Sequence, residues 1–193
     1  GAINLKTITE AVAANELAMG YTNPFASSTG LNFLLATLTT FDEQNILSDQ
    51  AVAGFETFQA NIPFVAFTTL QMRDSAKSGV LDGFIMEYQT YVNTPELKKD
   101  YQFSPFGLRH DSPLYAVGDL SADKEAVLKA FAEFSQQKTY QDLATDYGFN
   151  GYDDYKAEMA QPDGDTIIQA QQLWKEKKNG NNDIVAVFVA DVS

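Results

Sequence analysis

The sequence predicts an α/β protein, on two observations. Short apolar runs at 18–21, 80–88 and 184–192 are bounded by glycines and polar residues, as strands are. Between them lie stretches whose apolar residues recur every three or four positions, as on one face of a helix. A hydrophobic fraction of 45% over 193 residues is ordinary for a packed protein, enough for one large domain or two small ones. No apolar run approaches the roughly 20 residues that span a bilayer.

Taken in order, residues 3–17 read as a helix, with Leu5, Ile8, Val12 and Leu17 at loosely helical spacing. The short strand at 18–21 runs into a hydroxyl-rich turn. A helix over 29–40 then carries Leu31, Leu34, Leu35 and Leu38 on one face. Ser48 and Asp49 look like an N-cap for a helix through Phe55 and Phe58. The apolar stretch 63–67 leads to Thr68 and Thr69, which open a helix over 70–77 stopped by Gly79. Residues 80–88 are the best candidate for a buried central strand of the first half. A connection with one helical turn follows over 90–100, around Pro95.

From Tyr101 the texture changes to two extended segments, 101–107 and 113–118, with a polar loop between them. Ser121 opens an amphipathic helix expected to turn Val127, Leu128, Phe131 and Phe134 inward. A second helix, 139–147, ends at Gly148. After a loop-rich stretch, Asp165 is expected to cap a helix over 166–178 that ends at Gly180. The closing apolar run reads as a strand buried on both faces.

A formal charge of −13 argues against a nucleic-acid partner, because neutralising phosphates takes clustered Lys and Arg. There is no Cys, hence no disulfide and no thiolate chemistry. The first residues lack a basic region followed by an apolar core. The chain therefore reads either as intracellular or as an internal piece of a longer protein, and a leading Gly favours the second.

The most informative stretch is 20–30, which offers Thr22, Asn23, Ser27, Ser28, Thr29 and Gly30 where a helical pattern begins. A helix start leaves N–H groups unpaired and favours negative charge. These hydroxyls suit either of two roles: capping that helix, or gripping a ligand oxygen beside it. Tyr88, at the end of a strand, and Arg109, beside His110 and Asp111, are further candidates for a ligand cleft. Arg109 can clamp an anion bidentately or form only a loop ion pair. His110 is the single histidine, so a hydrolase built on it with Ser27 or Ser28 is the weakest reading. Acidic pairs at 153–154 and 163–165 lack calcium-loop spacing and read as turn and cap residues.

The wording Thr22-Asn23-Pro24-Phe25-Ala26-Ser27-Ser28-Thr29-Gly30 resembles the entry to the second lobe of bacterial extracellular solute-binding proteins of the two-lobed, periplasmic-binding type. Residues 78–88 look like the strand that leaves that lobe, and 101–118 like the return into the first. Residues 131–149 are similar to its late helices. The last residues, with Asp191 and Ser193, look like the first strand of a von Willebrand factor type A domain. In that family such an Asp-x-Ser helps hold a divalent cation, and hard oxygen ligands suit Mg²⁺ or Ca²⁺.

The resemblance implies a three-layer lobe of the type II periplasmic-binding kind, in a fragment lacking the opening part of the first lobe. It implies a leading helix at 1–17, a second lobe at 18–92, a closing part of the first lobe at 93–180, and the truncated strand at 181–193. The implied function is non-enzymatic binding of a small oxygen-rich or anionic ligand between lobes, through Thr22, Asn23, Ser27, Ser28, Thr29, Gly30, Tyr88 and Arg109. The alternative is a cell-surface adhesion or assembly protein with a vestigial cleft and a cation-dependent partner site downstream. Metal is expected at Asp191 and Ser193 only in a complete downstream domain, and no cofactor in this chain. The implied location is extracellular and surface-anchored through other parts of the parent. Self-association or a missing N-terminal piece is expected to cover the incomplete lobe.

Overall fold

The computed structural model describes residues 4–110, 112–149, 151, 154–157 and 159–179. The fold is mixed α/β, and its sheet is built by two successive crossovers. Strand β1 (Met19–Thr22) leads through helices α2 (Ser28–Phe41) and α3 (Asp49–Gln59) to β2 (Phe64–Ala66). From β2, helix α4 (Thr69–Lys77) returns the chain to β3 (Gly83–Phe84). The strand order is β2-β1-β3, with both pairings parallel: Gly20 lies opposite Phe64 on one side and Phe84 on the other. Central β1 is buried along its whole length, as a parallel strand covered on both faces must be.

The main core lies between this sheet and the helices on it. Leu5 and Val12 of α1 (Leu5–Ala13) join Phe33, Leu34 and Leu38 of α2 and Phe55 and Phe58 of α3. Ala170 and Trp174 of α8 (Gly164–Lys177) close the same cluster. A buried polar relay pins α8 down. Trp174 Nε1 donates to the Tyr21 hydroxyl at 2.6 Å, Tyr21 donates to Gln59 Oε1 at 2.5 Å, and Gln59 Nε2 donates to the Lys178 carbonyl at 3.2 Å. Burial pushes the Tyr21 phenol well above its usual range, so it stays neutral and keeps its proton for Gln59.

Two sequence expectations change, for the run 80–88 and for the helix that Ser121 opens. Of the apolar run 80–88 only Gly83–Phe84 pairs as strand; Val80 is 69% exposed, and Tyr88 opens the short helix α5 (Tyr88–Val92). The segments 101–107 and 113–118 form neither helix nor strand, and the helical turn expected around Pro95 is a 3₁₀ turn (Pro95–Lys99). Helix α6 (Ala122–Ser135) turns Val127, Phe131 and Phe134 outward rather than into the core, at 70%, 55% and 46% exposure. Its main contact is α7 (Lys138–Asp146), through Phe134 and Tyr140 with ring centres 4.1 Å apart. The expected strand at 184–192 lies outside the described residues, as does Gly180. No helix among the described residues is long and apolar enough to cross a membrane.

Candidate functional site

In a parallel sheet the strand carboxyl ends and the helix starts that follow them share one edge, where ligands commonly sit. A cleft of about 390 Å³ lies at this edge, within the roughly 300–1,000 Å³ of small-molecule sites. One wall is the start of α2, with Ser28, Thr29 and Asn32. A second is the exit from β3, with Met86, Glu87 and Tyr88. The return segment adds Phe103, Phe106, Arg109 and His110, and the chain after α7 adds Phe149, Gly151 and Tyr155. A larger hollow of about 620 Å³ lies at the amino end of β3 rather than its carboxyl end, among Lys77, Asp82, Glu96, Lys99 and Asp100.

Local geometry explains how these walls hold together. Asn32 stands on α2 one turn beyond Ser28 and is only 8% exposed. Its carboxamide grips the return segment as a strand partner would: Leu108 N donates to Oδ1 at 2.8 Å, and Nδ2 donates to the Leu108 carbonyl at 2.7 Å. Its Nδ2 also stands 3.3 Å from His110 Nε2. Gly107 has φ +66°, and a Cβ there would meet Asn32 Oδ1 at 2.5 Å, so glycine is required on two counts. The Tyr155 hydroxyl donates to the Gly107 carbonyl at 2.8 Å, and Arg109 Nη2 donates to the Gly151 carbonyl at 3.3 Å.

Glu87 is the electrostatic centre. Its Oε1 accepts from the Thr29 hydroxyl and, at 2.9 Å, from Thr69 at the start of α4; its Oε2 accepts from Thr90 at 3.3 Å. Tyr88 packs against Phe103, ring centres 5.0 Å apart.

Of the candidate ligand-binding residues, Ser28, Thr29, Tyr88 and Arg109 therefore line one cleft. Thr22, Asn23, Ser27 and Gly30 build the turn below it. Thr22 donates to Ser27 Oγ at 3.0 Å, and Ser27 Oγ accepts from Gly30 N as the α2 N-cap. Asn23 Oδ1 accepts from Phe25 N at 2.8 Å. A Cβ on Gly30 would fall 1.9 Å from the Thr22 carbonyl oxygen, so this glycine lets α2 cross the end of β1. Among the cleft residues outside the expected set, two polar side chains shape it most, Asn32 and Glu87. Asn32 could have been noticed as an amide on an otherwise apolar helix face, and Glu87 as a carboxylate ending an apolar run.

Among the described residues no three His, Asp or Glu side chains are grouped to hold a metal ion. Asp191 and Ser193, the expected ligands of a downstream domain, lie outside the described residues, and so does Asp111. The chain matches no protein-family model, and comparisons with curated proteins and with solved structures give no significant match.

Proposed function

We propose that this chain is a non-enzymatic binding module that holds a small polar solute in the cleft between α2, α5 and the return segment. The observation that carries the reading is the cleft itself: walls from four separate stretches of chain meet at the strand carboxyl edge and leave about 390 Å³ between them. The mixture of hydroxyls, one amide, one carboxylate and aromatic rings is what orienting a small molecule requires. The resemblance to extracellular solute-binding proteins points the same way, with a type II lobe, a surface location and a cation-binding downstream domain as its further implications.

The adhesion alternative calls for a cleft plugged by its own aromatics. Phe25 packs toward Trp174 at 6.0 Å and does not line the cleft, while Phe106, edge-on to Phe33 at 5.8 Å, and Tyr88, on Phe103, stand in its wall. About 390 Å³ remains between these walls, which supports the binding reading.

The test is an NMR titration of the ¹⁵N-labelled chain with a panel of small sugars, amines and carboxylates. A binding solute is expected to move amides around Thr29, Tyr88 and Gly151, and Tyr88→Ala is expected to weaken it at least about tenfold, or about 1.4 kcal/mol. A solute whose shifts map elsewhere, or whose affinity ignores Tyr88→Ala, refutes the assignment.

A further inference from the structure

We infer that Glu87 makes this cleft selective for a cationic, amine-bearing ligand and against anions. The inference rests on the binding reading above and departs from the ligand class suggested by the hydroxyl-rich turn. That turn points to an anion because a helix start offers unpaired N–H groups and the positive end of its dipole. Here two such starts converge, those of α2, of 14 residues, and α4, of 9. The protein has placed its own carboxylate between them. Thr29 in the first turn of α2 and Thr69 in the first turn of α4 both donate to Glu87 Oε1. The position that an anionic ligand would take is already filled by a negative charge belonging to the chain.

The rest of the cleft follows from that charge. A carboxylate has about four acceptor positions. Among the described residues, Thr29, Thr69 and Thr90 leave capacity on Oε2, the oxygen that accepts the longer 3.3 Å bond. An ammonium group bonding there gains a charge-assisted hydrogen bond. A ligand carboxylate in the same place meets a like charge. Tyr88, Phe103, Phe106, Phe149 and Tyr155 line the cleft, and aromatic faces attract cations. The formal charge of −13 adds a long-range field of the same sign.

Arg109 is the opposing group. It is exposed and donates to the Gly151 carbonyl, whereas Glu87 is half-buried. A rim cation is screened by salt more than a charge set into the wall. The balance falls to Glu87.

Three probes of one shape and different charge test this: benzylamine, benzyl alcohol and benzoate, titrated at pH 7 into the full chain with amide shifts as readout. Benzylammonium is expected to bind at least about tenfold tighter than benzoate, with the alcohol between. Glu87→Gln, which keeps an oxygen acceptor, is expected to bring the three within about threefold, with shifts far from the cleft unchanged. If that variant does not fold, salt decides, because an electrostatic preference must shrink as ionic strength rises. Benzoate binding as tightly as benzylammonium overturns the charge assignment and leaves the binding reading standing. A preference that survives Glu87→Gln, or a salt-independent one, overturns it equally. No cleft shift with any probe at millimolar concentration would instead sink the binding reading, and this inference with it.

Discussion

At the scale of single residues, the Tyr21 hydroxyl is a polar group committed to the core. The residue is 1% exposed, sits on the central strand, and its oxygen both accepts from Trp174 and donates to Gln59. A buried polar atom that loses a partner costs more than the bond gained in making it. Trp174→Phe removes the indole N–H and leaves the phenol oxygen one donor short. We expect it to cost about 1–3 kcal/mol, seen as a lower urea midpoint at an unchanged slope. Ile168→Ala, on the exposed side of the same helix, should stay within about 0.5 kcal/mol. Equal losses from the two would mean that the relay contributes nothing specific. This relay was hidden in the sequence because Tyr21 closes an apolar run and Trp174 lies 153 residues away. Nothing in local spacing joins them. Gly30 illustrates the converse: its place in the turn was plain, but its reason, the close pass of α2 over Thr22, is tertiary.

Elements were legible where their signals are local. Ser48 and Thr68 cap α3 and α4 through their own side chains, as their positions before helical patterns suggest. The start of α8 shows the limit of that logic. Asp163 and Asp165 are both acidic, and Asp163 is the cap, because its Oδ1 accepts from Thr166 N at 2.8 Å, three residues on. Asp165 falls instead in the first turn. The run 80–88 misled for a related reason. Continuous apolarity reads as strand, yet Leu81, Ile85 and Met86 go to three different clusters and only two residues pair with β1.

Asp163 also yields a pH prediction. The backbone N–H of Thr166 holds its carboxyl below the usual range. A depressed folded-state pKa gives stability that is complete above the unfolded value, about 3.9, and is lost as pH falls through the folded value. Asp42 is lowered in the same direction, first by Ser48, so both act in one acid window. We expect Asp163→Asn, which still caps but does not titrate, to lose melting temperature less steeply below about pH 4. Identical slopes for variant and parent between pH 5 and 3 would remove Asp163 from the acid response.

Across the whole molecule, burial is uneven in a way that composition cannot reveal. Helix α2 buries residues on nearly every side, against α1, α3, β1 and α8. Neither α6 nor α7 has a buried residue, although α6 carries the apolar pattern that predicts an inward face. Amphipathic periodicity says that a face seeks cover; it does not say what supplies it. The α7 end is held to the body, where Asn93 Nδ2 donates to the Tyr147 carbonyl at 2.8 Å and Gly148, at φ +89°, packs within a methyl's width of Val92. The α6–α7 pair is thus tethered beside the cleft through Phe149 and Gly151 without sharing the main core. Local stability follows buried apolar contact, so the pair should open without global unfolding. Measured on a dilute sample, its amides are expected to exchange roughly 100-fold faster than those of residues 33–38 in α2. A cleft-bound solute that contacts Phe149 should slow exchange in α7 before it slows exchange in α6. Equal protection of α2 and α6 in the dilute sample would mean that α6 is buried in solution, against the exposure of Val127 and Phe131.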